Sequence, residues 1–126
     1  MRVEVLKEKT FEPRYRGNLK LPESERIRVF HRFLTPDERS RYIYTKPMDI
    51  GSKSDGRIDY VQDEKGITKA IVTKIEGYSI LVGKDEIQID TADKLYSTPG
   101  VSPNLIVEIE SYCLLASPEV QKVPLE

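Results

Sequence analysis

Apolar and charged residues alternate from the first positions of the chain. Arg2-Val3-Glu4-Val5-Leu6 puts Val3 and Val5 on one face, which predicts a short strand over residues 2–7. The same period is clearest over residues 26–33. There Ile27, Val29, His31 and Phe33 share one face, and Arg26, Arg28 and Arg32 lie opposite with Phe30. A helix start follows. Thr35 is a good N-cap, Pro36 suits the first helical position, Asp37 suits the positive end, and Glu38 stands where a capping box needs it. This helix is expected over about 36–45, ahead of Pro47.

From Gly66 the period changes. Ile67, Ala70, Ile71, Lys74 and Ile75 keep the spacing of one helical face, so a helix is predicted over 67–76, closed by Gly77. Tyr78–Val82 and Glu86–Asp90 flank Gly83-Lys84-Asp85 and predict a β-hairpin over 78–90. Asp90-Thr91-Ala92-Asp93 opens a short helix ending near Tyr96. Ser102-Pro103 opens a last helix over 103–116, with Leu105, Ile109, Tyr112, Cys113 and Ala116 inward and Glu108 and Ser111 outward. Between these elements, residues 9–24 read as an extended arm carrying Phe11 and Tyr15, with Leu19 and Leu21 near the core. Residues 46–64, with Pro47, Gly51 and Gly56, read as a long loop that orders on a partner, and 118–126 as a loose tail.

These elements predict one α+β domain over residues 1–126. Its small antiparallel sheet comes from 2–7, 26–33 and the 78–90 hairpin, packed by three or four short helices. With 38% hydrophobic and 33% charged residues, the 126-residue chain has enough apolar content for one modest core. No apolar run approaches the roughly 20 residues of a membrane-spanning helix. The N-terminus lacks the continuous apolar stretch of a secretion signal, and a lone cysteine, Cys113, forms no internal disulfide, in keeping with a reducing compartment.

The net charge of −1 conceals a sequence asymmetry: residues 1–57 carry a balance of +5 and residues 58–126 one of −6. Three consequences compete. Folding can mix the halves so that no field survives; opposite patches can drive head-to-tail association; or the basic half can meet nucleic acid.

Candidate chemistry is sparse. The single histidine, His31, lies on the apolar face of a strand, where a half-buried, hydrogen-bonded histidine is the expectation. Cys113 lies on the inward stripe of a helix, away from the electropositive, exposed setting of a reactive thiol. One Cys and one His are too few for a structural zinc site. Asp49–Asp59 lacks the alternating acids and closing Glu of a calcium loop, and no phosphate-binding glycine motif occurs. No catalytic, cofactor or metal residues are therefore assigned. Nucleic acid is the alternative partner, through Arg14, Tyr15, Arg16, Lys20, Arg26, Arg28 and Arg32, diluted by Glu12, Glu23 and Glu25. The last helix, with Glu108 and Glu110 and no basic residue, is not a DNA-reading helix.

Three stretches carry a family resemblance. The first is Phe11-Glu12-Pro13-Arg14-Tyr15-Arg16-Gly17-Asn18 with Leu21-Pro22-Glu23 and the strand to Phe33. The second is Leu34-Thr35-Pro36-Asp37-Glu38-Arg39. The third joins Ile75-Glu76-Gly77-Tyr78, a hairpin, Thr91-Ala92-Asp93-Lys94-Leu95-Tyr96 and a helix from Leu105 to Leu114. In this order of pieces the chain resembles small phage proteins of the tail-assembly region, the tail assembly chaperones and tail accessory proteins. The resemblance implies a non-enzymatic role in the cytoplasm of a bacterial host, or in the virion, through contacts with tail proteins such as the tape-measure or tail-tube protein, or with other copies of itself. It lacks the long helical extension of some tail chaperones. Phe11, Arg14, Tyr15, Arg16, Arg26, Arg28 and Arg32 are the partner-binding candidates.

Overall fold

The computed structural model describes residues 1–50 and 53–116, with 48–50 and 53–57 described by backbone alone. The fold is α+β. A three-stranded antiparallel sheet has the order β1 (Lys9–Phe11), β2 (Arg28–His31), β5 (Val72–Glu76). Val29 is the register partner of Phe11 on one side and of Ile75 on the other. The first strand expected from sequence is displaced: residues 2–7 contribute only an isolated bridge at Val5, and Val3 and Val5 stay exposed. Lys9–Phe11 takes the edge of β2 instead, because Phe11 brings an aromatic ring that finds a partner inside.

Helix α1 (Pro36–Tyr42) starts as its sequence requires. Thr35 Oγ1 accepts from the Glu38 backbone N–H at 3.2 Å, and the Glu38 carboxylate accepts from the Thr35 backbone N–H at 3.1 Å. It stops earlier than expected, because Ile43-Tyr44-Thr45 is a β-branched and aromatic run that enters a strand. Helix α2 (Glu64–Ile71) also stops early. The stripe that predicted a helix to residue 76 is split between α2, which buries Ile67 and Ile71, and β5, which buries Ile75. Ile71 and Ile75 are four residues apart, a spacing that keeps two side chains on one face in a helix and in a strand alike. Periodicity is therefore silent there, and the open edge of β2 decides.

The 78–90 hairpin forms as β6 (Ser79–Val82) and β7 (Asp85–Gln88), but as a separate two-stranded sheet. Helix α3 (Ala92–Ser97) is capped by Thr91, whose side chain accepts from the Lys94 N–H. Helix α4 (Pro103–Leu115) packs on α2 and buries Leu105, Ile109 and Cys113, while the Ser102 side chain makes no capping bond. These three join Ile27, Val29, Ile67, Ile71, Ile75, Ile89 and Leu95 in one core.

Two further expectations are corrected. The 9–24 arm is not loose. After β1 it runs through short 3₁₀ turns at Tyr15–Lys20 and Glu23–Glu25, with a kink at Arg16 and Gly17, where φ is 45° and 68°. Asn18 locks it. Its Nδ2 donates to the Pro13 carbonyl at 2.8 Å and the Ile27 carbonyl at 3.0 Å, and its Oδ1 accepts from the Ile27 N–H at 2.7 Å. The 46–64 segment is not a loop either. Strands β3 (Ile43–Ile50) and β4 (Lys53–Gln62) make a long antiparallel ribbon, with a register shift between Pro47 and Asp49. The 118–126 tail lies outside the described residues.

Candidate functional site

The seven residues singled out from sequence fall into two groups. Phe11 is used inside the molecule: its ring stacks on Tyr112 of α4, with centroids 3.8 Å apart and an interplanar angle of 18°. The three strand arginines are also engaged. Arg26 donates to Glu12 at 3.2 Å and to the Leu21 carbonyl at 2.7 Å, and Arg28 lies 3.7 Å from the other Glu12 oxygen. Arg32 grips Glu38 bidentately at 2.7 and 2.8 Å, which holds the Glu38 carboxyl down to about 2. These carboxylates tie the basic strand internally, while Arg26 and Arg28 share the single Glu12 and the Arg28 and Arg32 side chains keep 34% and 38% of their surface exposed.

Arg14, Tyr15 and Arg16 form the second group: the fold brings Tyr15 and Arg16 to one cleft, and Arg14 is exposed. The Arg14 backbone N–H donates to Glu108 of α4 at 2.6 Å. That contact gives Glu108, on the exposed side of α4, a structural task. Arg16, held in the left-handed region, sets its guanidinium 5.3 Å from the Tyr15 ring centroid. Tyr15 and Arg16 line an open cleft of about 650 Å³ with Tyr78, Ile80, Val101 and Pro103. Burial raises the Tyr78 phenol, and the Ser102 backbone N–H it accepts opposes that shift. The cleft offers aromatic faces, one cation and an apolar wall. It contains no paired acid and base.

His31 is fully buried, deeper than expected. Phe33, Tyr112 and Phe11 surround its ring at centroid distances of 5.4, 5.4 and 6.2 Å, all edge-on. Its Nδ1 lies 3.2 Å from the Arg32 carbonyl, which makes Nδ1 the protonated nitrogen, and Nε2 has no hydrogen-bond partner among the described residues. Burial lowers the imidazole pKa, the Arg32 carbonyl opposes this, and Lys9 across the strand pair lowers it further. Cys113 lines a smaller apolar groove of about 300 Å³ beside Phe33, Ile43 and Ile71, and burial pushes its thiol up to about 12. A thiol so protonated at neutral pH is a packing group. Among the described residues, no cluster of three or more His, Cys, Asp or Glu stands in metal-holding array, and no helix is long and apolar enough to cross a membrane.

The ribbon is the surface that sequence reasoning missed. Ile58 is 70% exposed, Tyr60 58% and Tyr44 45%. Val3, Val5 and Leu81 are exposed as well, and scattered apolar residues are ordinary on a protein surface. The ribbon differs because its apolar side chains stand on a sheet that, among the described residues, has two strands and no third on either edge. Its hydrogen-bond phase can be read from its base. The Asp63 N–H donates to the Tyr42 carbonyl at 2.8 Å. Bonded and non-bonded pairs alternate along an antiparallel ladder. Tyr44/Val61 and Lys46/Asp59 are thus bonded pairs, and Thr45/Tyr60 and Pro47/Ile58 are not. Pro47 therefore costs the ribbon no internal bond, while the backbone groups of Ile58, Tyr60 and Gln62 point away from β3. The sequence signal that was available is the alternation Ile43-Tyr44-Thr45 against Ile58-Asp59-Tyr60-Val61, outweighed in the reading by Pro47, Gly51 and Gly56.

Compared with models of known protein families, with curated proteins and with solved structures, the chain matches none.

Proposed function

We propose that this chain is a non-enzymatic docking protein of phage tail assembly, a chaperone or accessory factor that acts through protein–protein contacts. The observation that carries the docking part is the β3–β4 ribbon: a two-stranded sheet is marginal on its own in water, and this one displays Ile58, Tyr60 and Tyr44 to solvent. The register sets Ile58 and Tyr60 on one face and Tyr44, opposite Val61, on the other. An apolar partner laid on the Ile58/Tyr60 face removes those two side chains from water, and a partner strand added at an edge completes backbone bonding. The tail-assembly part is supported by the sequence resemblance described above. The Tyr15/Arg16 cleft supplies a second contact region.

Co-expression with tail-tube and tape-measure proteins encoded near this chain tests the reading. The expected result is a stable complex with one of them, lost in the double variant Ile58→Ser/Tyr60→Ser while the fold is kept. A wild-type chain that captures no tail component under those conditions sinks the reading.

A nucleic-acid role draws on one observation, the exposed Arg14 and Arg16 beside Tyr15. It predicts a mobility shift with single-stranded DNA that weakens steeply with salt. The pairing of Arg26, Arg28 and Arg32 with carboxylates leaves it the smaller share of the original basic stretch.

A further inference from the structure

We propose that the ribbon pairs with a second copy of this chain, β4 edge against β4 edge, antiparallel, about a two-fold axis through Ile58. The inference rests on the reading of the ribbon as a docking surface and names its first occupant.

Three observations select this arrangement. The first is which edge is open. Pro47 sits in β3 at a non-bonded position, so its nitrogen faces the outer edge of that strand, where it has no hydrogen to give. That edge is a poor template. On β4 the groups of Ile58, Tyr60 and Gln62 face outward as intact donors and acceptors.

The second is phase. Pairing about Ile58 requires Ile58 itself to be a bonded pair with its copy, each N–H donating to the other's carbonyl. Its backbone groups face the free edge, as that requires.

The third is charge. The sequence runs Arg57-Ile58-Asp59. A two-fold axis through position 58 places position 57 of each strand opposite position 59 of the other, an arginine position against an aspartate position twice over on one face, with the two isoleucine positions paired on the other. Opposite charges and apolar pairs directly across a sheet are the stabilising combinations. The product is a four-stranded sheet, β3-β4-β4-β3, in an isologous dimer whose closed symmetry stops further growth.

The test is sedimentation of the full chain over a range of concentrations, together with oxidative crosslinking. The wild type is expected to show a monomer–dimer equilibrium. Ile58→Lys is expected to be monomeric, with unchanged circular dichroism because the side chain is exposed. Arg57→Glu, which sets like charges at both crossings, is expected to raise the dimer Kd by at least about tenfold.

Register is read by cysteine. In the proposed pairing the Ile58 Cα atoms stand about 5.5 Å apart, within disulfide reach. The Tyr60 Cα atoms stand roughly 14 Å apart. Ile58→Cys is therefore expected to form a dimeric disulfide, and Tyr60→Cys and the wild type, whose Cys113 is buried, are not. A wild type that stays monomeric at every concentration overturns the proposal, as does crosslinking of Tyr60→Cys as readily as Ile58→Cys. Either result leaves the wider docking reading intact, because capture of a tail protein through Ile58 and Tyr60 is scored separately. A wild type that dimerises but captures no tail protein removes the tail-protein role and keeps the dimer.

Discussion

Asn18 shows how much one side chain can hold. Its amide makes three bonds to the backbone of residues 13 and 27 and is 2% exposed. It takes the place of strand pairing between the chain before the kink and the start of β2. Asn18→Ala strands two carbonyls and one N–H, and a loss of about 3 kcal/mol is expected in urea unfolding, at an order-of-magnitude cost of 1–3 kcal/mol per orphaned group with partial relaxation. His31 is the second such residue. Its folded pKa lies below the unfolded value near 6.5, so the unfolded chain binds the proton more readily. Stability should be level above about pH 7 and fall as pH drops below 6.5. Replacing His31 with Leu should flatten that part of the profile, measured by denaturation midpoints between pH 8 and 5. Both residues were visible in the sequence, but not their roles. Gly17-Asn18 spells a turn whichever way the amide points, and an apolar strand face predicts burial without saying that Phe11, Phe33 and Tyr112 will close around the ring.

Among the elements, α1 was the most legible, because its start is set within four residues. The Thr35 hydroxyl and the Glu38 carboxylate satisfy each other's backbone donors locally. Thr35→Ala is expected to cost about 1 kcal/mol. Glu38 also receives Arg32 from β2, so the helix start and the strand end share one carboxylate. Its folded pKa of about 2 is well below the usual carboxylate value of 4.5, so its contribution is complete above pH 4.5 and lost as pH falls toward 2. Glu38→Gln should reduce the acid sensitivity of unfolding in that window. The elements that were misread fail for a common reason. Residues 72–76 form a strand because β2 offers an edge there, and Ile43–Ile50 and Lys53–Gln62 form a ribbon because the two runs meet each other. Both are non-local pairings, to which local periodicity is blind.

For the whole molecule, the fold interleaves the two ends of the chain. Lys9–Phe11 lies on the sheet, Phe11 stacks on Tyr112, and the Arg14 backbone is held by Glu108. The basic first half is thereby threaded against the acidic second half, and Arg26 and Arg28 share Glu12. Arg26 and Arg28 on Glu12 and Arg32 on Glu38 are ties within the first half, as Lys69/Asp93, Lys74/Glu76 and Lys94/Asp90 are within the second. These pairs leave the charge balance between the halves as the sequence sets it. Residues 1–8 bury no side chain, so removing them should shift the thermal midpoint only slightly, a change of about 1 kcal/mol or less. Truncation through Asn18 should abolish cooperative unfolding, since it removes an edge strand, an aromatic stack and the backbone lock together.

The sequence by itself determined the α+β class, the β2 face, the helix starts at Thr35 and Thr91, the 79–88 hairpin and the α4 stripe, because each is set by side chains within a few residues of one another. The tertiary structure alone decided which strand takes each edge of β2, that Ile75 is buried from a strand, and that Arg26, Arg28 and Arg32 are spent on Glu12 and Glu38. It also decided that Ile43–Ile50 and Lys53–Gln62 pair as a ribbon. Those outcomes depend on groups distant in the chain arriving at one place, and backbone edges and carboxylates are taken by whichever partner the fold delivers.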